Sequence, residues 1–132
     1  MADKLHFDLV SPERLLLSEN VDMVTVPGKE GDFGVLAGHS PLVAVLRPGI
    51  INVDDAGRAQ QRIFVRGGFA EVTPAGLTIL AEKAIPFADL DTAALDQEIA
   101  TAQAHVAAAK TDDTRLLAQE TLDHLKELRQ SL

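Results

Sequence analysis

All nine glycines and all six prolines of this chain fall before Phe87, and residues 88–132 contain neither. Glycine and proline end regular structure, the first by its backbone freedom and the second by its fixed φ and missing N–H. A segment broken by them every few residues can hold only short elements. A long segment without them can hold uninterrupted helices. The chain therefore divides after Phe87 into a punctuated part, residues 1–87, and an unpunctuated part, residues 88–132.

The punctuated part reads as strands. Leu5-His6-Phe7-Asp8-Leu9-Val10 alternates as a half-buried strand does, and Ser11-Pro12 follows as a turn. Arg14 to Leu17 and Val21 to Val26 read as strands with Ser18-Glu19-Asn20 between them. Further runs are Leu42 to Leu46, Gly49 to Val53, Ile63 to Val65, Phe69 to Val72 and Leu77 to Ala81. Asp54-Asp55-Ala56-Gly57 and Thr73-Pro74-Ala75-Gly76 have turn chemistry, and Gly67-Gly68 predicts a bulge or tight bend. Many short strands at close spacing point to a β-sandwich or barrel.

The unpunctuated part reads as two helices. Asp91 is a predicted N-cap. Leu95, Ile99, Ala102, Val106 and Ala109 recur at helical spacing and form one apolar stripe. Thr111-Asp112-Asp113 breaks the pattern and caps a second helix, whose stripe is Ala118, Leu122, Leu125 and Leu132, with Leu117 and Leu128 beside it. Each helix spans about 18 residues, or about 27 Å. The short loop predicts an antiparallel hairpin. Such a hairpin is marginal alone and must lean on something else, so it is expected to be the mobile part.

Composition excludes several functions. There is no cysteine, hence no disulfide, thiolate nucleophile or thiolate metal site. Net charge is −8, which argues against nucleic acid or anionic lipid as a direct partner. No apolar run approaches the roughly 18–20 residues of a membrane-spanning helix. Met1-Ala2-Asp3-Lys4-Leu5-His6 lacks a basic-then-apolar signal pattern, so the expectation is a chain that is soluble or peripheral on something else. No catalytic constellation stands out. Gly34 to Ser40 is one residue short of a phosphate loop and has His39 in place of the lysine. His39 and Ser40 are adjacent, and no third group completes a nucleophilic site. His6, His39, His105 and His124 are far apart, in no metal-ligand spacing.

One stretch carries more than turn chemistry. Gly31-Asp32-Phe33-Gly34-Val35-Leu36-Ala37-Gly38-His39-Ser40-Pro41-Leu42 places bulky apolar anchors among three glycines and a proline, as a rigid contact surface does. This run, with Leu46-Arg47-Pro48-Gly49, Gly67-Gly68-Phe69-Ala70-Glu71-Val72 and Leu77-Thr78-Ile79-Leu80-Ala81-Glu82, resembles the epsilon subunit of the F-type, proton-translocating ATP synthase, in order and across essentially the whole chain.

The resemblance implies an N-terminal β-sandwich of about ten short strands followed by a C-terminal antiparallel two-helix hairpin. It implies a non-catalytic central-stalk subunit that couples proton-driven rotation of the c ring to ATP synthesis through gamma. The synthesis and hydrolysis sites then belong to the alpha–beta hexamer. The sandwich, residues 1–87, would bind gamma and the c ring, and the hairpin, residues 88–132, would be regulatory. Matched by position, Phe33, His39, Ser40, Pro41 and Leu42 are expected to face gamma, and Glu30 and Asp32 to face the c-subunit ring. Contact with alpha and beta would be transient, and the membrane would be reached only through the complex, on the cytoplasmic face of the bacterial inner membrane. Some relatives bind ATP through Ile/Leu-Asp-x-x-Arg-Ala at the start of the hairpin. Here that stretch is Leu90-Asp91-Thr92-Ala93-Ala94-Leu95, with Ala94 in place of the arginine, so no cofactor is expected. A nucleotide-sensing inhibitory regulator of the same complex is the alternative reading, and an unrelated ligand-binding sandwich with a helical tail is a third.

Charge sets an expectation for the hairpin. In relatives that inhibit hydrolysis, basic hairpin residues meet an acidic loop of beta. Here residues 88–132 offer Lys110, Arg115, Lys126 and Arg129 against nine carboxylates, a net −5. Repulsion from an acidic loop is only partly screened at a Debye length of about 8 Å, and exposed ion pairs contribute at most about 1 kcal/mol each. Deleting residues 88–132 should therefore raise ATP hydrolysis by the assembled enzyme only slightly. An activation of roughly tenfold or more would mean the inhibitory state is well populated and the charge argument wrong.

Overall fold

The computed structural model describes residues 3–131. Eight strands come first: β1 (Leu5–Val10), β2 (Leu15–Val21), β3 (Met23–Gly28), β4 (Gly31–Val35), β5 (Leu42–Val45), β6 (Gly49–Asp54), β7 (Gln61–Thr73) and β8 (Gly76–Pro86). A 3-10 turn at Phe87–Asp89 leads to α1 (Thr92–Ala108) and α2 (Asp112–Gln130). The architecture is a β-sandwich followed by two helices. The chain separates into two compact units, Met1–Phe87 and Ala88–Leu132.

Strand pairing explains how eight strands make two layers. β7 and β8 form one antiparallel ladder from Ile63↔Pro86 to Thr73↔Gly76, joined by a tight turn. The first half of β7 pairs with β6, and the second half pairs with β5 along the same edge. On the far side, the first half of β8 takes β1 in parallel, and β1 takes β2. One layer is thus β2-β1-β8-β7-β5 and the other β8-β7-β6-β3-β4, with β7 and β8 passing through both. Counted once in each layer, they account for the ten short strands expected.

The crossing point is Gly67-Gly68. Register on β8 is unchanged from Arg66↔Lys83 to Gly68↔Ala81, so the pair makes a bend without inserting a residue. Both glycines have positive φ, +71° and +103°. A Cβ on Gly68 would lie 1.9 Å from the Leu80 carbonyl oxygen.

The core fills the space between layers with alternate residues. β1 contributes Leu5, Phe7 and Leu9, β3 Val24 and Val26, β6 Ile51 and Val53, and β8 Leu77, Ile79 and Ala81. The clearest difference from the sequence reading is Ser18-Glu19-Asn20. These polar residues continue β2 instead of breaking it, because β1 offers Asp8, Phe7 and His6 as ladder partners. The break comes at Asp22, whose N–H donates to the Asp54 carbonyl and whose carboxylate accepts from the Ala56 N–H.

In the helical unit, Asp91 caps α1 by accepting from the Ala94 N–H, and Thr111 with Thr114 forms a capping box on α2. Leu95, Ala102, Leu122 and Leu125 are buried, as is Glu98, which the apolar stripe did not anticipate. Arg129 Nε reaches the Asp96 carboxylate at 3.0 Å and ties the end of α2 to α1. Leu132, placed at the end of the second stripe, lies outside the described residues.

Gly68→Ala tests the bend. A side chain there meets both an unfavourable φ and backbone atoms that cannot move aside, so the substitution should destabilise the chain by at least about 2 kcal/mol in denaturant unfolding. Gly57→Ala, at φ +82° with open space around it, should cost about half that or less. Equal costs would show that the close contact at Gly68 is unimportant.

Candidate functional site

The predicted contact residues divide between the two ends of β5. At one end stands the β3–β4 hairpin, whose turn is Lys29-Glu30 between the paired Gly28 and Gly31. Glu30 and Asp32 are exposed here. Phe33 is half-buried instead, packs on the sandwich core, and lies close to Gly28, where a Cβ would come within 3.0 Å of its ring. Its first task is therefore to shape the hairpin.

Arg47, in the link between β5 and β6, ties this end together. Its Nη1 donates to the Gly28 carbonyl at 2.6 Å, and its Nη2 forms an ion pair with the Asp32 carboxylate. Its backbone N–H donates to the Pro27 carbonyl at 3.0 Å, and the Lys29 N–H donates to the Val45 carbonyl at 2.8 Å. Arg47 lies within the Leu46-Arg47-Pro48-Gly49 motif, and its role does not follow from the sequence alone. Its partners are 15 and 19 residues away, a distance that local patterning does not reach.

At the other end, the His39 N–H closes a turn onto the Leu36 carbonyl, with Gly38 at φ +83°. His39 Nδ1 lies 2.7 Å from the Ser40 carbonyl oxygen. Ser40, Pro41 and Leu42 are exposed, and His39 is half-buried. Leu36, Gly38 and His39 form one wall of an open cleft of about 350 Å³, which Lys4, His6 and the β7–β8 turn complete.

Between the two ends lies a feature no single motif announces. Ladder partners place Val45 beside Phe69, Phe69 beside Leu80, Leu80 beside Val10, and Val10 beside Leu15. This apolar row crosses all five strands of one layer on the face away from the core. Val45 and Leu15 are each 58% exposed and Phe69 42%, and Val43, two residues from Val45, is 65% exposed. Leu80 and Val10, between Phe69 and Leu15, are half-buried. A contiguous apolar row with exposed ends of this kind is a candidate interaction surface. The signal available in sequence was an apolar residue at the outward position of each strand.

Among the described residues no group of three or more His, Cys, Asp or Glu is placed to hold a metal ion. Among the same residues no helix is long and apolar enough to cross a membrane. At the start of α1, the Ala94 N–H is already taken by Asp91.

Comparison with known proteins agrees with this geometry. Residues 4–87 match the family model for the ATP synthase delta/epsilon chain β-sandwich domain. An ATP synthase epsilon chain from Parvibaculum lavamentivorans is 66% identical over 132 residues, covering 100% of both chains. The chain belongs to the ATP synthase epsilon chain family. An epsilon chain from Maricaulis maris is 60% identical over 115 residues, covering 87% of this chain and 86% of its own. Among solved structures, a chain of the Euglena gracilis mitochondrial ATP synthase, from an assembly of OSCP, F1 and c-ring, aligns with a TM-score of 0.75 at 27% identity, covering 99% of this chain and 82% of that one. A chain of the Tetrahymena thermophila mitochondrial enzyme shares the fold, with a TM-score of 0.66 at 14% identity, covering 98% of this chain and 96% of its own.

The rim of the cleft gives a pH prediction. Lys4 is 2.8 Å from Asp22 and also pairs with Asp55. Hydrogen bonding to Asp22, then to Asp55, holds the Lys4 ammonium above its ordinary pKa. The Lys4 hydrogen bond is likewise the main cause lowering both carboxyls, with the Ala56 N–H adding to the effect at Asp22. The carboxylates' contribution to stability is present above about pH 4 and lost as pH falls through their lowered values. The Lys4 contribution is present below about pH 10 and lost as pH rises through its raised value. Lys4→Met should flatten both limbs of a plot of Tm against pH. An unchanged profile would show that these exposed pairs add nothing.

Proposed function

We propose that the chain is a non-catalytic central-stalk subunit of the F-type ATP synthase, joining gamma to the ring of c subunits. The observation that carries this reading is the apolar row Val45, Phe69, Leu80, Val10 and Leu15, which gives the sandwich one adhesive face. A stalk subunit turns with its partners and must hold them without slipping. A broad apolar surface on a hydrogen-bonded sheet suits that task, because the sheet does not reorganise when it is loaded.

In this reading gamma lies on the row, with His39, Ser40, Pro41 and Leu42 at its margin, and Phe33 supports the β3–β4 hairpin from within. The hairpin tip at Glu30 and Asp32 meets the c ring. The sandwich of residues 1–87 makes both contacts, while the hairpin of residues 88–132 touches alpha and beta transiently and restrains hydrolysis weakly. The chain is then peripheral on the cytoplasmic face of the bacterial inner membrane, held there by the complex. ATP synthesis stays in the alpha–beta hexamer.

The test is binding of the full chain to purified gamma. Phe69→Asp, within the row, and Val45→Asp, at its β5 end, each place a charge on it and should weaken binding at least about tenfold, as buried interface residues do. Leu117→Asp, an exposed apolar site on α2, should leave it unchanged. Full affinity in both row variants, with the fold retained, would show that gamma binds elsewhere.

A further inference from the structure

Lys29-Glu30 is flanked by Gly28 and Gly31, and Gly31 has φ +136° with nothing near its Cα that a side chain would touch. Glycine gives a turn no stiffness of its own. Arg47 supplies it from outside. Its planar guanidinium has donors in a fixed fork, and the two arms take partners on the two strands either side of the turn: the Gly28 carbonyl on β3 and the Asp32 carboxylate on β4. The position of the fork is fixed in turn by the Arg47 N–H on Pro27. The β3–β4 tip is thus clasped to the β5–β6 link. Asp32 is paired with Arg47 in the clasp, although its side chain stays exposed. Glu30 is exposed and, among the described residues, engages in no hydrogen bond or ion pair.

We infer that Arg47 is a positioning residue for the hairpin tip, with Asp32 as its structural partner, so that Glu30 is the carboxylate offered to the ring of c subunits. The ring-facing half of this inference rests on the stalk reading above. Asp32 and Glu30, two residues apart, then have different tasks. The first fixes the tip through Arg47, and the second acts outward.

Two readouts separate these tasks. Amide hydrogen exchange in the full chain follows the Lys29 N–H and the Arg47 N–H. Arg47→Ala and Asp32→Asn should each speed exchange at Lys29 about tenfold, as expected when local opening becomes easier. Arg47→Lys keeps the charge but loses the fork and should fall between Arg47→Ala and the parent. The double variant should exchange no faster than Arg47→Ala alone, and Glu30→Gln should not change exchange. In the reassembled complex, protons pumped per ATP hydrolysed should fall with Glu30→Gln and with Arg47→Ala while the hydrolysis rate holds. Asp32→Asn should lower that ratio on its own and add nothing in the Arg47→Ala background.

Unchanged exchange in Arg47→Ala and Asp32→Asn would overturn the clasp. A further loss of coupling from Asp32→Asn in the Arg47→Ala background would overturn the division of tasks, because Asp32 would then act on the ring directly. Altered exchange with full coupling in every variant would keep the clasp and sink the ring-facing reading on which the role of Glu30 depends.

Discussion

The antiparallel ladder of β7 and β8 is the constraint on which the sandwich depends. Each strand belongs to both layers, so the layers cannot separate or shift register without breaking a ladder that runs from Ile63↔Pro86 to Thr73↔Gly76. The bend at Gly67-Gly68 redirects both strands without a register change, and the inward positions of β7 pass from Ile63 and Val65 before it to Ala70 and Val72 beyond it. An inserted residue would have reversed the inside and outside of everything beyond it. Phe69 would then point into the core and Ala70 out of it.

The outward row and the inward core are therefore two sides of one register. Ile79 and Ala81 are buried because Leu80 is not, and Leu9 is buried because Val10 faces out. Exposed apolar residues scattered over a surface are ordinary. Three exposed and two half-buried ones aligned on adjacent strands are an arrangement that the ladder itself enforces. The same sheet carries the loop of His39 at one end of β5 and the clasped tip of Asp32 and Arg47 at the other. One sheet thus presents the loop and the tip as two separate regions, as the proposed stalk reading requires.

Much of this was legible in the sequence. Leu5, Phe7 and Leu9 alternate in β1, and Leu95, Ile99 and Ala102 recur along α1, because burial on one face imposes the period. The caps at Asp91 and Thr111 were legible because they act within one turn. Ser18-Glu19-Asn20 was misread because its polar composition signals a turn, while its actual conformation is set by β1. The Gly67-Gly68 pair was open to two readings, and only the ladder distinguishes a bend from a bulge. Arg47 was recognised within a motif but its task was not, since Gly28 and Asp32 come to it through the return of β5. The apolar row was invisible because its members are drawn from five strands, and each alone looks like ordinary surface.

The central claim is that the row is the face that holds gamma while the hairpin tip stays free for a second partner. Amide hydrogen exchange of the full chain with and without purified gamma tests this most directly. Binding on the row should slow exchange in β5 and in the second half of β7, from Phe69 to Val72, and leave Lys29 to Asp32 as in the free chain. Slowed exchange at Lys29 to Asp32 with no change in β5 or β7 would contradict the account, because gamma would then occupy the tip assigned to the ring.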